Sequence, residues 1–340
     1  NDDEIQIIFT TIQNLHLKLN TPTENQITYD GVKDLKIVLL SDEAHHLQTA
    51  TQKKEVEELE EEEIGWESTV SKLLKQNRDN ILLEYTATID LDNENIAKKY
   101  EDKIIIRYSL KEFREDKYSK DISLLKSDMS KDKRVLSALL LSYYREKVAS
   151  DNGINLKPTI LIKSMKIKDS ESDMEDFLDL IKNLSVSDFE YFKDYDNPQI
   201  QKAISYFEKD SGFSYENLIT IFKYNYVDES IRIVNNTSVN ETIVKELNEL
   251  EKNSIRVIFA VNMLNEGWDV LNLFDIVRLD ESNSSKKDTV ISDKQLIGRG
   301  CRIFPFKVVG RETFQRKFDE DLDNDLRVLE EFYYHSKNND

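Results

Sequence analysis

KIVLLSDEAHHL, residues 36–47, decides how this chain is read. An apolar run of Ile, Val and Leu passes without a break into Ser41, Asp42 and Glu43. Short continuous apolar runs are how strands buried on both faces of a parallel sheet look in sequence. Ligand sites of open α/β sheets lie at the carboxyl ends of such strands, which is where Asp42 and Glu43 fall. An aspartate there suits a magnesium ion, which takes hard oxygen ligands and keeps most of its waters. The glutamate beside it could polarise an attacking water. An Asp-Glu pair alone reads equally well as a turn and helix N-cap; the full string D-E-A-H is far more specific.

Outward from this stretch the same pattern repeats. IQIIF (5–9), ILLEY (81–85) and KIIIRY (103–108) are further apolar runs in the first third of the chain. A second set follows: TILIK (159–163), IRIV (231–234), IRVIFAV (255–261) and DIVRL (275–279). Helical patterns separate the runs, so the expectation is α/β with two parallel sheets rather than one. The stretch 113–157 is expected as a helical linker, its helix near 131–148. DNGINLKP (151–158) closes it, where Gly153 and Pro158 punctuate a turn. The domains expected are 1–112 and 158–310, with 311–340 as a C-terminal extension. EVEELEEEE (55–63) is a self-repelling charge run that should sit solvated. The aromatic-rich stretch at about 185–228 mixes Phe and Tyr with acidic as well as basic residues. A helical subdomain core is therefore favoured there over base stacking.

Composition narrows the classes. The chain has 340 residues, enough for about two domains. It carries 66 acidic against 47 basic residues, a formal net charge of −19. Only 8 glycines and 4 prolines occur, which excludes collagen-like, linker and Pro-rich low-complexity classes. No G-x-x-x-x-G-K-[ST] and no G-x-G-x-x-G can be assembled from those glycines, so no phosphate loop is recognisable. The single cysteine, Cys301, excludes a disulfide framework and a Cys-based zinc site. No apolar stretch reaches the roughly 18 residues of a membrane span, and no secretory signal opens the chain, so cytoplasm is the default expectation. Beginning at Asn1, the chain reads as a piece of something longer.

The strings that follow the apolar runs carry a family resemblance. DEAH (42–45) resembles motif II, the Walker B element of superfamily 2 helicases and translocases. In the same order as in that superfamily, IFTTIQNL (8–15) resembles a DNA-contacting motif of the first motor domain, and YTATI (85–89) resembles motif III. VNMLNEGWDV (261–270) resembles motif V, and QLIGRGCR (295–302) resembles motif VI. The variants TTIQ, NEGWDV and GRGCR, with the tail RKFDEDLDNDLRVLEEFYYHS (316–336), look most like the Res subunit of type III restriction enzymes. The match spans nearly the whole chain and is weakest over 111–226.

The resemblance implies two RecA-like parallel-sheet domains, the first truncated at its N-terminus, with helical insertions. It implies ATP and Mg2+ as cofactors, double-stranded DNA as track, and a DNA methyltransferase subunit as partner. Asp42 would hold the metal and Glu43 activate water, while His45 would link motif II to the second domain. Gln295 would position nucleotide or water, and Arg299 and Arg302 would act as arginine fingers on the γ-phosphate. If helical, those two arginines share one face. Glu266, Gly267 and Asp269 would couple nucleotide to nucleic acid. Thr10, Thr11 and Asn262 would touch DNA, and Thr86 and Thr88 would join the domains. The missing phosphate loop would lie upstream and the nuclease downstream, so this segment alone is expected to be inactive as an ATPase. A strongly acidic chain is unusual for a DNA tracker. From Ile255 to Arg316, however, 10 basic and 8 acidic residues nearly balance, so the excess acid lies elsewhere. A motor of another defence or repair system, and a decayed motor kept as a scaffold, are the alternatives.

Overall fold

A computed structural model describes residues 5–21, 27–44, 61–86, 89, 91–164, 166, 168–234, 241–261, 270–279, 296–311 and 313–337. The chain divides into two compact units, Asn1–Ser109 and Leu110–Asp340.

In the first unit, strand β1 (Val38–Ser41) pairs in parallel with β2 (Ile81–Glu84), Ser41 lying opposite Glu84. Helix Ile12–Asn20 begins where the Thr11 side chain accepts the Asn14 N–H, which satisfies one of the free amides of the first turn. It packs against helix Glu61–Leu74, with His16 Nδ1 2.7 Å from Thr69 Oγ1. Gly65 makes that approach possible, because a Cβ there would stand 2.7 Å from the His16 ring. A small core of Leu19, Val32 and Leu73 lies within this unit.

The second unit is built on a six-stranded sheet in the order β3-β8-β7-β4-β6-β5, parallel throughout. Its strands are β3 (Asp121–Ser127), β4 (Thr159–Lys163), β5 (Ile231–Val234), β6 (Val257–Ala260), β7 (Leu273–Arg278) and β8 (Glu331–Lys337). Val257 and Phe259 of β6 join one apolar core, and Ile258 and Ala260 join the other. Both faces are covered, which is why β4 and β6, inside the sheet, read as nearly unbroken apolar runs. Helix Lys131–Asp151 packs on β4, β7 and β8, and helix Asp169–Lys182 on β5 and β6. The opposite face is covered around Leu247, Leu250 and Leu296.

Several expectations are corrected here. The runs 5–9 and 103–108 form no strand: Ile7 is 77% and Ile105 87% exposed, and neither run finds a sheet neighbour among the described residues. The stretch 113–157 is not a linker between units. It contributes β3 to the sheet, and Leu136, Leu139, Leu140 and Val148 of helix Lys131–Asp151 to the core. Gly153 is this helix's terminator: its φ is +70°, and Gly153 N–H to Ser150 and Ile154 N–H to Ala149 close the last turn. The segment 311–340 is not an appendage, since β8 lies between β3 and β7. Arg316 and Arg327 share Asp319, and Arg327 also reaches Asp121 at 2.8 Å, tying this segment to the start of β3. The aromatic-rich stretch forms helices Val186–Glu190, Pro198–Glu208 and Tyr215–Asn225. Phe189, Phe192, Phe207 and Phe222 of this stretch are buried in the core that also covers the sheet, so it is not a separate subdomain. Residues 55–60 of the acidic run lie outside the described residues.

Burial has a consequence at alkaline pH. Desolvation raises the hydroxyl pKa of Tyr144, Tyr226 and Tyr333 above the ordinary tyrosine value. Each contributes stability that is fully present below pH about 10, where unfolded tyrosine starts to ionise, and that is lost as pH rises towards the raised folded values. A titration following tyrosinate absorbance beside circular dichroism should show these tyrosines ionising only as the helical signal is lost. Ionisation of all 15 tyrosines with the fold intact would contradict this.

Candidate active site

Parallel pairing in register sets the geometry of the first unit's site. Because Ser41 and Glu84 are partners, the chain leaves β1 at Asp42 and β2 at Tyr85 side by side. Tyr85 N–H donates to Ser41 O at 2.8 Å, and Ala44 N–H returns to Tyr85 O at 2.9 Å. The loop that follows β1 is thereby fastened to the segment that follows β2. Asp42 is exposed, and its Oδ1 accepts the Glu43 N–H at 2.9 Å. Glu43 has φ +48°, in the left-handed region that few side-chain-bearing residues occupy. Such strain costs of order 1–3 kcal/mol and gathers at functional sites, where the surrounding structure holds it. Ala44, the next residue, is fully buried. Thr86 lies on the adjoining segment.

Thr11 and Thr10 are placed less distinctively. Thr11 caps helix Ile12–Asn20, and the exposed Thr10 hydroxyl bonds to Thr11 O at 3.3 Å. Capping accounts for Thr11 without any ligand.

In the second unit, residues 296–300 form one helical turn, continued by Cys301 N–H to Ile297 O at 2.8 Å and Arg302 N–H to Arg299 O at 3.4 Å. Arg299 lies in the turn and Arg302 just past it, in an isolated antiparallel bridge with Ser119. Both arginines are partly exposed. The turn sits hard against the sheet at Gly300, where a Cβ would stand 2.3 Å and 2.6 Å from the Phe332 ring and 3.2 Å from Leu273. Cys301 is buried with its thiol donating to Gly298 O at 3.2 Å, and burial raises its pKa, so it is held as an inert thiol.

His45, Thr88, Asn262, Glu266, Gly267, Asp269 and Gln295 lie outside the described residues. Among the described residues no cluster of His, Cys, Asp and Glu could by itself hold a metal ion. A single exposed carboxylate such as Asp42 nonetheless fits magnesium, which is commonly bound by one or two carboxylates, the rest of its shell being water and substrate phosphates. No helix among the described residues is long and apolar enough to cross a membrane.

Residues 1–91 match the family model described as "Type III restriction enzyme, res subunit", and residues 289–340 match one described only as an "N-terminal region". The chain is 37% identical over 342 residues to a Haemophilus influenzae protein named "Probable type III restriction-modification enzyme HindVIP Res subunit". That alignment takes in 89% of this chain and 65% of the relative's length. Among solved structures, the Mycobacterium smegmatis helicase Lhr, bound to ssDNA and AMP-PNP, is similar at a TM-score of 0.44 and 12% identity. That likeness covers 96% of this chain and 31% of the helicase. The type ISP restriction-modification enzyme LlaBIII, bound to DNA, is similar at a TM-score of 0.43 and 12% identity, over 95% of this chain and 20% of the enzyme.

Proposed function

From a chain related over most of its length to the Res subunits of type III restriction enzymes, we propose that residues 1–340 are a motor segment that couples ATP hydrolysis to movement on double-stranded DNA. The observation that carries this is the placement of Asp42 and Glu43 at the carboxyl end of a parallel strand, in a loop fastened to the segment Tyr85–Thr86. Phosphoryl transfer needs positioning and charge stabilisation more than covalent help. Asp42 would hold Mg2+, which when bound neutralises charge on the phosphate oxygens. Glu43, its backbone held at φ +48°, would orient and accept a proton from the attacking water. Gln295, Arg299 and Arg302 would contribute to the same chemistry from the second unit. Glu266, Gly267 and Asp269 would couple it to nucleic acid. His45, Thr86 and Thr88 would carry the change between units, and Thr10, Thr11 and Asn262 would meet the DNA backbone.

The relative's greater length leaves room for a phosphate loop and a nuclease outside residues 1–340, and a DNA methyltransferase subunit is the proposed partner. The test is phosphate release from ATP, with and without DNA, by the 340-residue chain and by the longest product of its reading frame. The longer product should hydrolyse ATP when DNA is present, and Glu43→Gln should lower its turnover by about 100-fold or more, the usual weight of a general base. Unchanged turnover in Glu43→Gln would remove the proposed role. Robust hydrolysis by the 340-residue chain alone would show that no upstream loop is needed.

A further inference from the structure

Lys120 is fully buried, and its side chain reaches three backbone carbonyls that belong to two different elements. Its Nζ donates to Leu273 O at 2.6 Å and Leu271 O at 2.9 Å, at the start of β7, and to Gly300 O at 3.0 Å, in the turn that carries Arg299. The same ammonium stands 3.9 Å from the centre of the Phe274 ring. Its backbone N–H donates to Cys301 O at 2.6 Å, and the preceding residue, Ser119, bridges Arg302. Residues 119–120 therefore run alongside the exit of the arginine turn, and the Lys120 side chain ties that turn to the sheet. Phe332 closes the other side, against a position where only glycine fits.

A neutral amine offers two N–H donors, and three carbonyls lie within reach, so the acceptor set fits the ammonium. Burial pushes the Lys120 pKa well below the ordinary lysine value, and the nearby Arg145 charge pushes the same way. The carbonyls and the ring face are what oppose that cost. A cation buried at a junction of two elements is an expensive way to fill space. It is well suited to holding one turn in one place.

We propose that Lys120 is the positioning residue of the arginine turn: by gripping Gly300 and the start of β7 together, it fixes where Arg299 and Arg302 present their guanidinium groups. The catalytic part of this rests on the function proposed above; the anchoring part does not. Electrostatic stabilisation of a transition state depends on donors set in advance, so a loosened turn should cost turnover and leave ATP binding nearly unchanged.

Two readouts keep the two parts separate. The first is hydrogen exchange of the amides of Cys301 and Arg302 in Lys120→Met, compared with wild type and with Phe192→Leu, a core change placed elsewhere in the second unit. Exchange at these amides should rise by about tenfold or more in Lys120→Met and stay near the wild-type value in Phe192→Leu. Unchanged protection overturns the anchoring, whatever the protein's activity. The second readout is DNA-stimulated ATP hydrolysis by the longest product of the reading frame. In Lys120→Met, kcat should fall by about tenfold or more with KM for ATP within about twofold, and the further loss when Lys120→Met is added to Arg302→Ala should be smaller than its loss in the wild-type background, only the Arg299 part remaining. Losses that multiply in the double variant, or a rise in KM alone, overturn the positioning role. Raised exchange in a protein that shows no DNA-stimulated hydrolysis at all would uphold the anchor and refute the function. Lys120→Gln keeps two donors, should fall between wild type and Lys120→Met, and carries the same comparisons should Lys120→Met fail to fold.

Discussion

Arg145→Met is expected to lower the stability of the second unit by about 3–5 kcal/mol, the range found when one partner of a buried ion pair is removed. Arg145 and Asp275 have side chains with no exposure, and Nη1 lies 2.7 Å from Asp275 Oδ2. The guanidinium also donates through Nε to Val328 O at 3.0 Å and faces the Phe274 and Tyr333 rings at 4.5 Å and 5.2 Å. The other Asp275 oxygen lies 3.0 Å from His335 Nε2. Methionine would fill most of the volume but leave a carboxylate in the middle of β7 with His335 as its one remaining side-chain partner among these contacts. The charge left behind, rather than lost packing, is the main cost. Removing both charges in Arg145→Met/Asp275→Leu should recover a large part of the loss. Urea unfolding followed by circular dichroism measures both variants. A loss below about 1 kcal/mol in the single variant would show that the pair is dispensable, as exposed pairs commonly are.

Arg302→Ala should have the largest effect on turnover, about 10³-fold or more in kcat for DNA-stimulated ATP hydrolysis, the range attributed to arginine fingers. Its side chain is partly exposed and its bridge to Ser119 runs through the backbone, so that bridge should persist in the variant. Arg302→Lys should recover little, because an ammonium lacks the planar fork that meets phosphate oxygens in pairs. Steady-state kinetics on the longest product of the reading frame, beside its thermal unfolding curve, decides the matter. A fall of less than about tenfold in a folded protein would take Arg302 out of the proposed chemistry.

Six apolar runs became strands: four lie within the six-stranded sheet, and two form the β1–β2 pair, where Val38, Leu40 and Ile81 remain exposed. IQIIF and KIIIRY are as rich in isoleucine but lie exposed: hydrophobicity shows that a segment favours a sheet, not whether a neighbour is present. The two strands that escaped notice did so for the opposite reason. Asp121–Ser127 (DISLLKS) has more polar than apolar residues, and Glu331–Lys337 contains His335 and Ser336, which look like tail residues. The buried His335 finds its partners far off in sequence, in Asp275, some 60 positions away, and in Ser137. No local pattern encodes that pairing. The same holds at the candidate site. Asp42, Glu43, Arg299 and Arg302 stand in strings that resemble known motifs, and that is what made them legible as candidates. Lys120 belongs to none, and it resembles any surface lysine until the carbonyls of Leu271, Leu273 and Gly300 are seen around it.

The place of β8 between β3 and β7 also sets an order of events during synthesis. β3 begins at Asp121 and can acquire its sheet neighbour only when Glu331–Lys337 has emerged, about two hundred residues later. Until then the ribosome-borne chain carries an unpaired β3, and β7 has one open edge where Asp275 and Arg145 wait for His335. The second unit is therefore completed after translation has passed Lys337, and its nascent form needs protection from other strand edges for that interval.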